Sequence, residues 1–154
     1  MVGAGGAAHA VVYALLTRGV ERITVVNRTP HRAAVLRQRF LERLKVAPWE
    51  QLNDLLGDAT LLVNTTTLGM AGQPELDADI GRLPSHAIVA DLVYVPLVTP
   101  LIRTAKAAGL RTADGLGMLL HQAVRGFELW FGKKPEVTAG LRTLAEADLK
   151  ASAG

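Results

Sequence analysis

The chain has 154 residues, 49% of them hydrophobic, 20% charged and only 5% aromatic, with a formal net charge of +3. That is enough for one domain with a core of Leu, Val and Ala, and the dispersed positive charge argues against nucleic acid as a partner while suiting an anionic ligand. The absence of cysteine excludes disulfides, thiolate metal sites and cysteine nucleophiles, no run is apolar for long enough to span a membrane, and Met1-Val2 runs straight into a glycine turn without a signal peptide, so the expected location is the cytoplasm and no metal is expected.

Gly3-Ala4-Gly5-Gly6-Ala7-Ala8 opens the chain as a glycine-rich turn, after which apolar periodicity predicts a helix from Ala7 to Leu16 that stops near Arg18-Gly19. Arg22 to Val26 reads as a short β-branched strand of the doubly buried kind. Pro30 stands at a first helical position behind Thr29, and His31 to Leu44 continues as a basic amphipathic helix. Val46-Ala47 is a minimal strand, Glu50 to Leu56 a short helix closed by Gly57, and Ala59 to Asn64 another buried strand. Thr65 to Pro84 is mostly loop. Beyond it come a strand from Ala87 to Asp91, a helix from Pro100 to Ala108 capped by Gly109, and an edge strand at Arg111 to Ala113. A long helix from Leu116 to Phe131 ends at Gly132, and a last one covers Thr138 to Leu149.

This alternation predicts an α/β fold, a Rossmann-like doubly wound parallel sheet with helices on both faces, over residues 1–150, with 151–154 as a small tail. The expected strand order is 3-2-1-4-5-6, with the first strand in the middle. Only Met1 and Val2 precede the glycine turn, so that first central strand reads as truncated. Its two neighbours are expected to carry unpaired backbone edges, each buried group costing about 1–3 kcal/mol. The expectation is a domain normally preceded by more chain.

The chemistry begins at the glycine turn. Gly3 permits a tight turn, Gly5 lets backbone approach a pyrophosphate, and the small Ala8 allows close helix packing, with the phosphates on a helix N-terminus. The second anchor is Asn27-Arg28-Thr29, at the end of the next strand. An NAD site places Asp or Glu about here to accept from the ribose 2′-hydroxyl. This chain has no acid there but Arg28, with Arg32 one helical turn on. A guanidinium pairs bidentately with a 2′-phosphate that a carboxylate would repel. The cofactor expected is therefore NADP. Two more loops fall at strand ends, where ligands bind in such sheets. Asn64 to Met70 can reach a ribose with backbone and hydroxyls, and Asp91 to Pro96 can present the phenol of Tyr94 to a substrate. Taken alone, a plain Thr-rich turn and a half-buried Tyr packed on Pro96 are the better readings of these segments.

Taken in order, GAGGAA, VVNRTPHR, VNTTTLGM, DLVYVPLVTPL and DGLGMLLHQAVRGFELWFG resemble the C-terminal NADP-binding domain of the shikimate dehydrogenase family, from Val2 to about Leu144. The last stretch is the most specific, since Gly115, Met118, Leu119, Gln122, Phe127, Trp130 and Gly132 fall together. Glutamyl-tRNA reductases share the GAG turn and the NRT element but lack that helix. The resemblance implies that Gly3, Ala4, Gly5, Gly6 and Ala7 hold the pyrophosphate and that Asn27, Arg28, Thr29 and Arg32 hold the 2′-phosphate end. It implies Thr65 and Thr66 along the cofactor, and Leu92, Gly115 and Met118 around the nicotinamide. Tyr94 and Gln122 then reach the substrate, shikimate or 3-dehydroshikimate. His9 and His121 are expected to be non-catalytic.

In that family the Lys and Asp that handle the proton lie in an N-terminal substrate domain. Lys45, Lys106, Lys133, Lys134 and Lys150 match none of it. No catalytic residue is therefore assigned in this chain, and little turnover is expected from it alone. The alternatives are a quinate or shikimate-like dehydrogenase domain and a stand-alone, non-catalytic NADP-binding module. No membrane partner is expected, and a homodimer stays open.

Overall fold

The protein is described from a computed structural model, which covers residues 1–151; of the expected tail, residues 152–154 lie outside the described residues. Five parallel strands carry the fold: β1 (Ile23–Val26), β2 (Leu44–Ala47), β3 (Leu61–Asn64), β4 (Ile88–Asp91) and β5 (Arg111–Ala113). They pair as β2-β1 and as β3-β4-β5. Helices α1 (Gly6–Thr17), α2 (Pro30–Phe40), α3 (Pro100–Ala107), α4 (Gly115–Phe131) and α5 (Ala139–Ala151) complete it. None of the described helices is long and apolar enough to cross a membrane.

The centre of the sheet departs from expectation. Val2, fully buried, bridges Val26 on one side and Asn64 on the other, both in parallel sense. Val26 N–H donates to the Met1 carbonyl at 2.9 Å and Gly3 N–H to the Val26 carbonyl at 2.9 Å. On the other flank Val2 N–H donates to the Val63 carbonyl and Thr65 N–H to the Val2 carbonyl, both at 2.8 Å. The residues expected to leave two edges unpaired thus join them, because a bridge needs only one residue with its flanking peptide groups. The order is β2-β1-Val2-β3-β4-β5, as the doubly wound pattern requires.

The core lies on both faces of this sheet. Along β1 the side chains alternate: Ile23 and Val25 pack with Ala4, Ala8, Val12, Ala33, Leu36 and Leu44. Val26 points the other way, with Val2, Leu62, Val89 and Leu101. Ala8 is fully buried, so α1 lies close against the sheet.

Two other expectations need correction. The helix expected to reach Leu44 ends at Phe40, where Leu41 takes a left-handed φ of 53°. Leu36, Phe40 and Leu44 keep helical spacing, but Leu44 is instead drawn into β2, opposite Ile23, and buried. The helix expected at Glu50 to Leu56 is replaced by two 3-10 turns, Trp49–Gln51 and Leu56–Asp58. There Leu52 and Leu56 are buried and Asn53 Oδ1 accepts from Asp79 N–H at 2.8 Å, so packing rather than helical propensity sets the path. Elsewhere the expected elements are present within two residues, and the β3–β4 connection holds only a 3-10 turn at Ile80–Arg82.

Candidate functional site

The carboxyl ends of the strands and the start of α1 enclose a cleft of about 820 Å³. Its floor is the glycine turn. Gly3 has a φ of 105°, and a Cβ there would sit 2.5 Å from Thr65 Oγ1 and 2.8 Å from Thr66 Cγ2, so only glycine fits. Thr65 Oγ1 donates to the Val2 carbonyl at 2.8 Å, which holds that loop against the turn. At Gly5 and Gly6 the situation is opposite: both are exposed, and an added Cβ would meet nothing within 4 Å. The turn therefore faces open space. Gly5 caps α1 without a side-chain hydrogen bond, and the first turn of α1 holds no acid. Its N–H groups and the positive end of the helix dipole are left available to an anion.

One wall comes from the end of β1, where Asn27, Arg28, Thr29 and Arg32 line the cleft. Asn27 Nδ2 donates to the Thr29 carbonyl at 2.7 Å and shapes the turn into α2. Arg28 and Arg32 are exposed, and neither enters an ion pair among the described residues. Thr65, Thr66, Thr67, Leu68 and Met70 form the opposite wall; Leu92, Val93, Tyr94 and Met118 close the far end. Tyr94 is half-buried beside the cis Val95–Pro96 peptide.

Of the residues expected at the site, Gly3, Ala4, Gly5, Ala7, Asn27, Arg28, Thr29, Arg32, Thr65, Thr66, Leu92, Tyr94 and Met118 line this one cleft. Three do not. Gly6 begins α1 just behind the turn. Gln122 is exposed one turn beyond Met118 on α4. Gly115 is buried under the far wall, where a Cβ would lie 2.5 Å from both the Leu92 and the Val93 carbonyl oxygens. It governs how closely α4 approaches that wall rather than touching the cleft. The five lysines are all exposed and none lines the cleft. Neither does His121, nor His9, whose Nδ1 lies 3.1 Å from the Gly5 carbonyl oxygen.

Sequence reasoning missed Trp49, Gln73, Glu75 and Asp77, which also line the cleft. Trp49 lies two residues past the end of β2, so the strand-end rule pointed to it. The other three lie in the long loop, without a local signal. It also missed the clamp on α4. Asp114 Oδ1 accepts from Gly117 N–H at 3.2 Å and from Arg142 Nη1 at 3.2 Å, while Oδ2 accepts from Arg142 Nη2 at 2.7 Å. Burial pushes the Asp114 carboxyl up, but these donors and the Arg142 charge outweigh it and hold it below the usual range. The helix that carries Met118 is thus capped and tied to α5 by one side chain.

Two family models match the chain: the one described as shikimate / quinate 5-dehydrogenase over residues 1–71, and the shikimate 5′-dehydrogenase C-terminal domain over residues 115–144. A shikimate dehydrogenase (NADP(+)) of Nitrobacter winogradskyi is 62% identical over 149 residues, which cover 97% of this chain and 53% of the relative. The chain spans about half the length of the curated relatives it matches. Among solved structures, quinate dehydrogenase from Corynebacterium glutamicum in complex with NAD is similar with a TM-score of 0.84 and 34% identity, over 98% of this chain and 53% of that one. Shikimate 5-dehydrogenase from Thermus thermophilus in complex with NADP(H) and shikimate gives 0.76 and 36%, with the same coverage.

The C-terminal match begins at the glycine whose contacts are backbone. Since two carbonyl oxygens cannot rotate away as a side chain can, Gly115→Ala should cost about 1–3 kcal/mol in denaturant titrations. Gly117→Ala, two residues on, would meet only side-chain atoms, at 3.8 and 4.0 Å, and should be neutral or stabilising by up to about 1 kcal/mol. Equal effects at the two positions would remove the close approach as the reason for glycine at 115.

Proposed function

The chain belongs to the shikimate dehydrogenase family, and from that premise we propose that it is the NADP-binding part of an enzyme that reduces 3-dehydroshikimate to shikimate. The observation that carries this reading is the cleft itself. An open glycine turn on a helix N-terminus without a side-chain cap faces two guanidiniums that have no ion pair among the described residues, across a floor of backbone and hydroxyl groups. These residues fit the dinucleotide. Gly3 to Ala7 would hold the pyrophosphate, Asn27, Arg28, Thr29 and Arg32 the 2′-phosphate end, and Thr65 and Thr66 the length of the cofactor. When bound, NADPH supplies the hydride, which goes to the carbonyl carbon of the substrate while the carbonyl oxygen takes a proton. Leu92 and Met118 would set the face of the ring, with Gly115 letting α4 come near enough for Met118 to reach it. Tyr94 and Gln122 would orient the substrate hydroxyls, since a phenol and an amide offer both donors and acceptors.

The lysines lie outside the cleft, and we assign proton handling to groups beyond this chain. The exposed apolar residues Leu129, Trp130 and Phe131 on α4 support that assignment, because such a patch suits contact with further protein. The similarity to a quinate dehydrogenase favours quinate as the second substrate to try; the cofactor half alone does not choose between them.

Arg28→Asp should weaken NADP by about 10–100-fold, the value of a charge-assisted hydrogen bond, and NAD by less than about threefold in calorimetric titrations. Equal losses would place Arg28 away from the 2′-phosphate. The 154-residue chain should give no measurable NADPH from shikimate and NADP. A turnover of about 1–10³ per second would overturn the assignment of proton transfer elsewhere.

A further inference from the structure

Beneath the cleft, the carboxyl ends of β3 and β4 are tied by a buried chain of hydrogen bonds, and we propose that Asp91 at its centre is the positioning residue that holds two cleft walls in register for NADP. The inference rests on reading the cleft as an NADP site. Asn64, Asp91 and Thr99 are 0%, 2% and 0% exposed, and none lines the cleft. Asp91 Oδ1 accepts from Asn64 Nδ2 at 2.9 Å and from Val93 N–H at 3.0 Å. Asp91 Oδ2 accepts from Thr99 Oγ1 at 2.7 Å.

Each of these bonds ends on a part of the fold that bears on the cleft. Val93 N–H fixes the path of Leu92, Val93 and Tyr94. Asn64, held by Asp91, accepts at Oδ1 from Thr66 N–H at 3.0 Å and from Thr66 Oγ1 at 2.7 Å. Its Nδ2 also donates to the Leu68 carbonyl at 2.9 Å. Thr99, at the N-terminus of α3, accepts from Ile102 N–H at 3.3 Å. One carboxylate therefore links the Thr66–Leu68 wall, the Leu92–Tyr94 wall and a helix that serves as the anchor.

The chemistry of the donors makes this more than packing. All three groups facing Asp91 are donors, and an acceptor-only ionised carboxylate satisfies them all. No cation pairs with it among the described residues, and burial raises its pKa against the pull of those donors. A buried unpaired charge is costly, and an apolar side chain of like volume often serves stability as well or better. What the carboxylate adds is geometric. Together with the Ala71 N–H to Val95 carbonyl bond at 3.1 Å, side-chain hydrogen bonds fix the relative position of two loops that share no strand pairing beyond their first residues.

The test uses the 154-residue chain with two probes, NADP and adenosine 2′,5′-bisphosphate, which carries only the adenosine end. Asp91→Leu cannot accept a hydrogen bond; it should weaken NADP by about tenfold or more, and adenosine 2′,5′-bisphosphate by less than about threefold. Asp91→Asn should stay within about threefold of wild type for both, because its oxygen can serve Asn64 and Val93 while its amide faces a reoriented Thr99 hydroxyl. Should Asp91→Leu not fold, Thr99→Val decides: it lies outside the cleft, yet should weaken NADP by about 3–10-fold and leave the adenosine probe unchanged. Equal losses for both probes, folded variants that bind NADP like wild type, or an Asp91→Asn as poor as Asp91→Leu would each overturn the proposal. A wild-type chain that binds neither probe would overturn the NADP reading instead.

Discussion

Four backbone hydrogen bonds around Val2 hold the two halves of the sheet together, and the cleft inherits its shape from them. Without them β1 and β3 would each face a gap along a buried edge, at about 1–3 kcal/mol for every group left unpaired. The same bonds set the site. Gly3 follows the bridge directly, with its N–H on Val26 and its Cα against Thr65. Thr65 in turn directs both its N–H and its hydroxyl to the Val2 carbonyl. The glycine turn and the threonine loop are thus two outgrowths of one joint. Neither can shift without breaking a bond that keeps the sheet continuous.

The remaining walls are fastened on the same plan, with a polar bond under each surface that faces the cleft. Asn27 closes its own turn, Asp91 ties the ends of β3 and β4, and Asp114 caps α4 while gripping Arg142. These fastenings differ in weight. The Arg82 pairs with Asp54 and Asp79 join side chains at least half exposed, and such pairs contribute about 0–1 kcal/mol. The Arg142–Asp114 pair is bidentate and mostly sheltered, so it constrains orientation as well as distance. Gly115 works by subtraction, since the space a Cβ would need is taken by two carbonyl oxygens.

How much of this could be read in the residues follows from the range over which each cause acts. The glycine turn, Arg28 behind it and the helix ending at Gly132 are local signals; the turn and Arg28 line one cleft, and the helix ends where its glycine predicts. Gly132 has a φ of 66° and its N–H returns to the Glu128 carbonyl. The failures involve distant partners. Leu44 keeps helical spacing with Leu36 and Phe40, yet burial opposite Ile23 wins. Asn64 and Asp91 lie 27 residues apart, and Arg142 is 28 from Asp114, separations longer than any single element. Nothing near any of them announces the other. Val2 is the clearest case: two residues before a turn looked too few for a strand, but a bridge draws its bonds from both neighbours.

Helix α4 brings these threads into one element. Only Gly115 and Leu116 are buried along its 17 residues, and its closest approach is that of Gly115 to the Leu92 and Val93 carbonyls. There a missing side chain, an N-cap and an ion pair act within four residues. Its far end exposes Trp130 at 80%, Leu129 at 66% and Phe131 at 63%, with the Phe127 ring 4.5 Å from that of Phe131 and tilted by 41°. A large apolar surface on a helix is ordinarily covered. Gln122 stands between the two, exposed and outside the cleft, which fits the proposal that α4 serves the cofactor through its first turn and a further surface through its far end.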